Sequence, residues 1–411
     1  MKVVIASPLM SYPGHFLRVT LEKALCIRNV GMDVAVIGFR DESGEDFRKN
    51  NLTYVSVTAM LSANARRFVE KVSRHLGIAR IVVVENFLVN RYALKYARIN
   101  KADIIFLTDV EPWIIFFLAL FGLMRRKDKV IGFVAHGYFD KSAGGLLPFF
   151  SYCRARLNHW LAPELPRLID IICDNQFHVS RMFGAKSPRI YIIPEGCSYK
   201  GISKEGKQAA RCRLGLPLDK KILLFFGVAN IGKGAPLVYE ALEGLEPDFV
   251  LLVVGTIVSM FRPRDNMAGR ALDCWGGNVL RVPNYVSEEM RELYFTACDA
   301  VMVPHLKGYY TNSGIMLTAI SYGKAVIVAG QYQIGYLVNN YRLGLTFPPE
   351  DIAAMRNCLR EFTAKPDEWF AEVENNCKKL AQENSWQNIG AIYRRTFEKI
   401  TMDVALGEDK I

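Results

Sequence analysis

Four loops in this 411-residue chain carry residue types that can hold an anion. The stretch Phe226-Gly227-Val228-Ala229-Asn230-Ile231-Gly232-Lys233-Gly234 closes an apolar run and sets a lysine between two glycines, just before a helical segment. A lysine so placed reaches a phosphate, while the helix N-terminus adds N–H donors and the positive end of its dipole. The loop is not a Walker A motif, which needs Ser or Thr after the lysine where this chain has Gly234. Ser313-Gly314 opens a helix whose apolar positions include Ile315, Leu317 and Ile320. Unhindered backbone N–H groups plus a hydroxyl make an anion cradle that, with Lys233, can hold a diphosphate. Val134-Ala135-His136-Gly137 places a histidine where a buried strand ends. Ser7 to His15 forms a long Pro/Gly loop ending in Gly14, without the GxGxxG fingerprint of dehydrogenase-type dinucleotide folds. Each loop also has a plain structural explanation: a glycine turn, a serine N-cap, a core histidine, a connecting loop. Their joint occurrence is what argues for a ligand.

These loops need strands to position them. Strand-like runs fall at 2–7, 33–39, 53–57, 103–108, 130–136, 169–174 and 190–194, with helical stretches between them. After a polar, Gly-bearing seam near residue 197 the alternation restarts at 221–226, 249–255, 279–282, 300–304, 325–329 and 344–347. Continuous β-branched and apolar runs are the mark of strands buried on both faces of a parallel sheet. The rhythm predicts two α/β domains, each a doubly wound parallel sheet. In such sheets ligands bind at the carboxyl ends of the strands, where all four loops lie. From Asp351 to Ile400 the chain reads as helix, ending in a segment whose Trp386, Ile389, Ile392, Tyr393 and Phe397 share one face.

Further landmarks occur in order: Ile192-Ile193-Pro194-Glu195-Gly196, Ala297-Cys298-Asp299-Ala300 running to Pro304, and Gly323-Lys324. Together with the four loops they resemble the GT-B glycosyltransferases, in particular the large retaining, nucleotide-sugar-dependent group (glycosyltransferase family 4-like). The resemblance covers most of the chain. It implies two Rossmann-like domains facing across a cleft: 1–196 binding the acceptor and 197–384 the nucleotide sugar. Residues 385–411 would form a helix that crosses back onto the N-terminal domain. It implies an enzyme of hexosyltransferase type, moving sugar from a nucleoside-diphosphate donor to a hydroxyl of a glycan or lipid-linked acceptor, with retention, in cell-surface polysaccharide biosynthesis. Lys233 and Gly234 would hold the diphosphate with Ser313 and Gly314, and Lys233 would stabilise the leaving charge. His136 would lie beside the transferred sugar, and Gly14 under donor sugar and acceptor. Tyr285 and Val286 would hold the nucleobase through backbone groups. The chain departs from the pattern at three positions. An arginine common after the third loop's first glycine is Val228, and two glutamates common around the fourth are Tyr310 and Thr318. Thr318 would then meet the ribose, and Arg262, Arg264 or Arg281 is left to supply an unusual phosphate contact. A sugar-nucleotide epimerase of the same build, and a non-catalytic GT-B binding protein, stay open as alternatives.

No cofactor or metal is expected: a lysine and a helix dipole fill that role, and the sequence has no DxD-like pair at a strand end and no His/Cys ligand cluster. Nine cysteines without a CxxC spacing fit a reducing cytoplasm, and Met1–Ser7 reads as a strand rather than a secretory leader. The net charge of +11 is uneven: residues 1–195 hold 27 Lys and Arg against 17 Asp and Glu, and the rest is nearly balanced. A basic half points to an anionic partner. No recognition motif or stacking platform supports nucleic acid. Residues 64–80 instead read as a basic amphipathic helix, with Arg66, Arg67, Lys71 and Arg74 beside an apolar stripe, suited equally to peripheral contact with an anionic membrane on its cytoplasmic face and to packing that stripe on the sheet as an ordinary surface helix. The apolar run 113–124 is twelve residues, short of the roughly 20 needed to span a bilayer, and is expected as a buried core helix.

Overall fold

The computed structural model describes residues 1–11, 16–64, 67, 78–125, 127–134, 149–184, 187–202, 204–227, 233–243, 248–255, 278–282 and 285–408. The chain divides into two compact units, Met1–Glu195 with Trp386–Ile411, and Gly196–Ser385. All thirteen strands expected from the apolar runs are present, most of them a residue or two shorter.

The first unit is built on β1 (Lys2–Ala6), β2 (Asp33–Gly38), β3 (Thr53–Ser56), β4 (Ile104–Leu107), β5 (Val130–Val134), β6 (Asp170–Cys173) and β7 (Ile190–Ile192). They pair in the order β3-β2-β1-β4-β5-β6-β7, every pair parallel. The central strands β4, β5 and β6 are buried along their whole length, as their unbroken apolar sequence requires, while the edge strand β7 is half covered. The last helix, Trp386–Glu408, belongs to this unit and packs on the Phe16–Asn29 helix. Its apolar face buries Ile389, Tyr393, Phe397 and Ile400, and the Tyr393 and Phe397 rings sit 5.6 and 5.8 Å from that of Phe106 on β4. Gly390 marks the crossing point: a β-carbon there would lie 2.6 Å from the Cys26 carbonyl oxygen. Trp386 and Ile392 flank the same face, partly buried.

The second unit is built on β8 (Lys221–Phe226), β9 (Phe249–Val254), β10 (Val279–Val282), β11 (Ala300–Val303), β12 (Ala325–Ala329) and β13 (Gly344–Phe347), ordered β10-β9-β8-β11-β12-β13 and again all parallel. Asp299, from the Ala297–Ala300 landmark, is a structural clamp here. Its Oδ2 accepts from the Ile222 amide at 2.6 Å and from Arg211 at 2.6 Å, and Lys207 pairs with Oδ1. Lys324 of the Gly323-Lys324 landmark is buried and donates to the Thr296 carbonyl at 3.1 Å.

The run 113–124 forms a helix, Pro112–Leu120, but it is not the fully buried one expected. Ile114, Ile115 and Leu118 pack inward, whereas Phe117, Leu120 and Phe121 are exposed, Leu120 by 82%. Hydrophobicity all round the helix hides from the sequence which side the sheet covers. Among the described residues no helix is long and apolar enough to cross a membrane.

Candidate functional site

The order of the second sheet reverses between β8 and β11, and a doubly wound sheet opens a crevice at the carboxyl ends of such a strand pair. β8 stops at Phe226, and Gly227 follows at φ +106° with its N–H bonded to the Val254 carbonyl at 2.9 Å. Gly255, at φ +129°, ends β9, and a β-carbon on it would collide with the Gly227 carbonyl. Only glycine lets the two strand ends approach this closely. Residues 228–232 lie outside the described residues. The chain reappears at Lys233 and at Gly234, which adopts φ +71° directly before the Ala235–Leu242 helix. A β-carbon on Gly234 would strike the carbonyl oxygen of Pro304, the first residue after β11. Gly234 is thus pressed against the end of β11, across the point where the strand order reverses.

Lys233 folds back over the strand end, with its Nζ 3.3 Å from where a β-carbon on Gly227 would be. Burial pushes its pKa below the usual lysine value, because the ammonium has lost part of its hydration. Lys233, Pro304, His305, Ser313 and Ile315 line one recess, with Phe225 and Phe226 beneath. Ser313 caps the Gly314–Ser321 helix: its Oγ accepts from the Met316 amide at 3.4 Å. The amides of Gly314 and Ile315, in the first helical turn, have no carbonyl of their own helix to bond. A cation, a hydroxyl and a helix N-terminus therefore share one small recess, a combination suited to an anion bearing several oxygens.

His305 is a member of this site that the sequence did not single out. It is 6% exposed, its ring stacks on Tyr309 at 3.8 Å and 13°, and its Nε2 stands 3.4 Å from Ser313 Oγ. Burial, and next the charge of Lys233, lower its pKa to about 3, so the imidazole is neutral at physiological pH. Its signal was available in the sequence, where it follows an apolar strand-like run by one proline. The stack on Tyr309 explains part of the Tyr-rich loop, whose Tyr309 hydroxyl also donates to the Asn312 carbonyl at 2.9 Å.

Lys233, Gly234, Ser313 and Gly314 are brought together. Thr318 lies one turn into the Gly314–Ser321 helix and donates its hydroxyl to the Gly314 carbonyl at 2.8 Å, leaving only oxygen lone pairs for a ligand. Tyr310 is buried against the edge of Tyr332 at 6.5 Å, so the residue in place of the first glutamate packs instead of projecting. Tyr285 is 74% exposed beyond β10, and Val286 packs on the core. Arg281 is half-buried on β10. His136, Gly14, Arg262 and Arg264 lie outside the described residues, as do Arg66, Lys71 and Arg74, while Arg67 is exposed. Among the described residues no group of three or more His, Cys, Asp or Glu side chains is arranged to hold a metal.

Residues 206–384, nearly all of the second unit, match the family model "Glycosyl transferases group 1". Over the full length the chain superposes on solved GT-B structures. HepE of Anabaena in complex with UDP aligns at TM-score 0.71 and 14% identity, over 97% of this chain and 100% of that one. Sucrose-phosphate synthase of Thermosynechococcus elongatus aligns at 0.70 and 17%, over 98% and 100%. The chain has the GT-B fold. A glycosyltransferase of Rickettsia africae aligns on the same GT-B frame at TM-score 0.69 and 13% identity, over 97% and 98%. In sequence, D-inositol 3-phosphate glycosyltransferase of Xylanimonas cellulosilytica is 32% identical over 132 residues, 30% of this GT-B chain. The match spans about a third of that relative, 31% of its length.

Proposed function

We propose that this GT-B protein is a nucleotide-sugar-dependent glycosyltransferase of hexosyltransferase type. It moves a sugar from a nucleoside-diphosphate donor to a hydroxyl of a glycan or lipid-linked acceptor, in the building of a cell-surface polysaccharide. The observation that carries this reading is the recess where Lys233, Ser313 and the first turn of the Gly314–Ser321 helix meet at the reversal point of the second sheet. When the sugar departs, negative charge grows on the diphosphate. Donors already aimed at that position stabilise it without reorganisation, and a half-dehydrated lysine gains most from an anion. His305, neutral beside Lys233, keeps a second positive charge out of the recess. Retention of configuration follows from the family resemblance, and a donor with UDP is the first to test, since HepE was solved with it.

Peripheral placement on the cytoplasmic face of a membrane is part of the same proposal. The basic excess of the first 195 residues supports it, as does exposed Arg67. The exposed Phe117, Leu120 and Phe121 add an apolar edge to that unit, with exposed Arg125 and Lys127 close behind in the chain.

A thermal-shift panel of UDP, GDP, ADP, TDP and CMP sugars tests the donor. One diphosphate donor should raise the melting temperature, and a CMP sugar, which lacks the diphosphate, should not. A panel without any shift would remove the donor site.

A further inference from the structure

The first unit has a reversal point of its own, between β1 and β4, and a buried carboxylate stands on it. Asp109 follows β4 by two residues and is 5% exposed. Its Oδ2 accepts from Asn86 Nδ2 at 3.2 Å. Asn86 is held in turn: its Oδ1 accepts from Asn90 Nδ2 at 2.7 Å, one turn along the Ile78–Ile99 helix. Both asparagines are fully buried, and Asn90 Oδ1 has no partner among the described residues. Oδ1 of Asp109 receives no hydrogen bond from the described residues either.

The neighbouring carboxylate is arranged differently. Glu111 Oε2 accepts from Trp113 Nε1 at 2.8 Å and Asn158 Nδ2 at 3.4 Å, and Arg154 Nε lies 3.7 Å from it. Trp113, Asn158 and Arg154 thus all approach Glu111 Oε2. Asp109 is clamped on one oxygen by an uncharged chain and open on the other. Unlike Asn90 Oδ1, the Oδ1 of Asp109 is not sealed away from solvent, so in an otherwise buried residue this one oxygen stays reachable by water or by a ligand hydroxyl.

We propose that Asp109 is an acceptor-binding residue, its Oδ1 accepting a hydrogen bond from a sugar hydroxyl while Asn86 and Asn90 hold the carboxylate in place. The proposal rests on the transferase reading and adds to it the chemistry of the second substrate. A hydroxyl is the fitting donor: it is neutral, so it enters a buried site at small desolvation cost, and it completes the unsatisfied oxygen. The charges acting on Asp109 are Glu111, which opposes its ionisation, and Arg154, which favours it. From the described side chains of the Ile78–Ile99 helix it is met by the neutral Asn86 amide, and Glu85 of that helix lies 3.8 Å from Arg40. Burial and Glu111 hold its pKa up at about 7. The ionised form accepts the hydroxyl, so acceptor affinity should rise as pH rises through about 7.

The test uses the full chain, the donor found by thermal shift, and methyl and octyl glycosides of glucose, galactose and mannose as acceptors. Diphosphate release and sugar transfer are followed from about pH 5.5 to 8.5. Asp109→Asn, nearly isosteric, should keep the donor-induced melting shift, raise acceptor KM at least tenfold, and flatten its dependence on pH. Asn86→Ala, which frees the carboxylate without removing it, should raise acceptor KM less and keep the dependence. Octyl glycosides outperforming methyl glycosides would place the hydroxyl on a lipid-linked acceptor, and equal performance on a free glycan; either supports the proposal. A normal donor shift with acceptor KM unchanged in Asp109→Asn overturns the role of Asp109 alone. Donor turnover with no transfer to any glycoside overturns the sugar hydroxyl as ligand. A wild type shifted by no donor overturns the transferase reading and this proposal with it.

Discussion

Lys233 and Asp109 show how burial sets the chemistry of single groups, in opposite directions. Loss of hydration disfavours the charge on the lysine, so an arriving diphosphate meets an ammonium with few competing partners in water. Lys233→Ala should weaken donor binding roughly ten- to hundredfold by calorimetry, the range for about 1.5–3 kcal/mol from a hydrogen bond to a charged group. Unaltered affinity would sever the lysine from the diphosphate. For Asp109 the folded pKa of about 7 stands above the ordinary carboxylate value of 3.8. The folded chain thus keeps a proton that the unfolded chain releases. That stabilising contribution is complete below about pH 4 and is lost as pH rises through about 7. Asp109→Asn should therefore melt above wild type at pH 8 and close to it near pH 4, by about 2–4 °C for each kcal/mol regained. His305 has the reverse sign. Its folded pKa, about 3, lies below the ordinary 6.5. Its contribution is present above about pH 6.5 and lost as pH falls toward 3, and His305→Phe should remove that acid sensitivity in a melting curve.

Elements meet at this site through missing side chains. Gly234 rests on the end of β11 because it has no β-carbon and accepts φ +71°. Gly234→Ala combines a backbone collision with a left-handed conformation, and should destabilise by more than about 2 kcal/mol, read as a lowered denaturant midpoint. A variant as stable as wild type would show that the turn can move off Pro304, and that the recess is not rigidly built. The glycine pattern around Lys233 was visible in the sequence as a phosphate-loop cue. Its second purpose, bringing two strand ends and a loop into contact, was not, because the partners Gly255 and Pro304 are distant in the chain. The same holds for Gly390, which permits two helices to cross although more than 350 residues separate it from Cys26.

At the scale of the molecule, the chain is two parallel sheets with separate cores, joined at residues 195–196 and again at 385–386. Most of the net positive charge belongs to the first 195 residues, and the exposed apolar edge lies there too. If that edge rests on lipid, the full chain should float with anionic liposomes, and Leu120→Asp with Phe121→Asp should abolish flotation without lowering the melting temperature. Binding should weaken with salt, each basic residue at the surface being worth about 1 kcal/mol at low ionic strength. Flotation that survives both the double substitution and high salt would place the contact elsewhere.

The thirteen strands, the parallel sheets and the helical tail were legible because strands buried on both faces must be written in unbroken apolar residues, a local constraint. That Lys233 and Ser313 stand just before helices was legible for the same reason, since helix entries are written in short contiguous motifs. What the folded chain alone decided depends on contacts between residues far apart. His305 became part of the site only when β11 was placed beside β8, and Asp109 became a carboxylate with one open oxygen only when the Ile78–Ile99 helix laid Asn86 against it. Leu120 and Phe121 read as core until the packing left their side of the helix bare. Hydropathy records that a side chain prefers burial; only the assembled sheets and helices determine whether there is anything to bury it against.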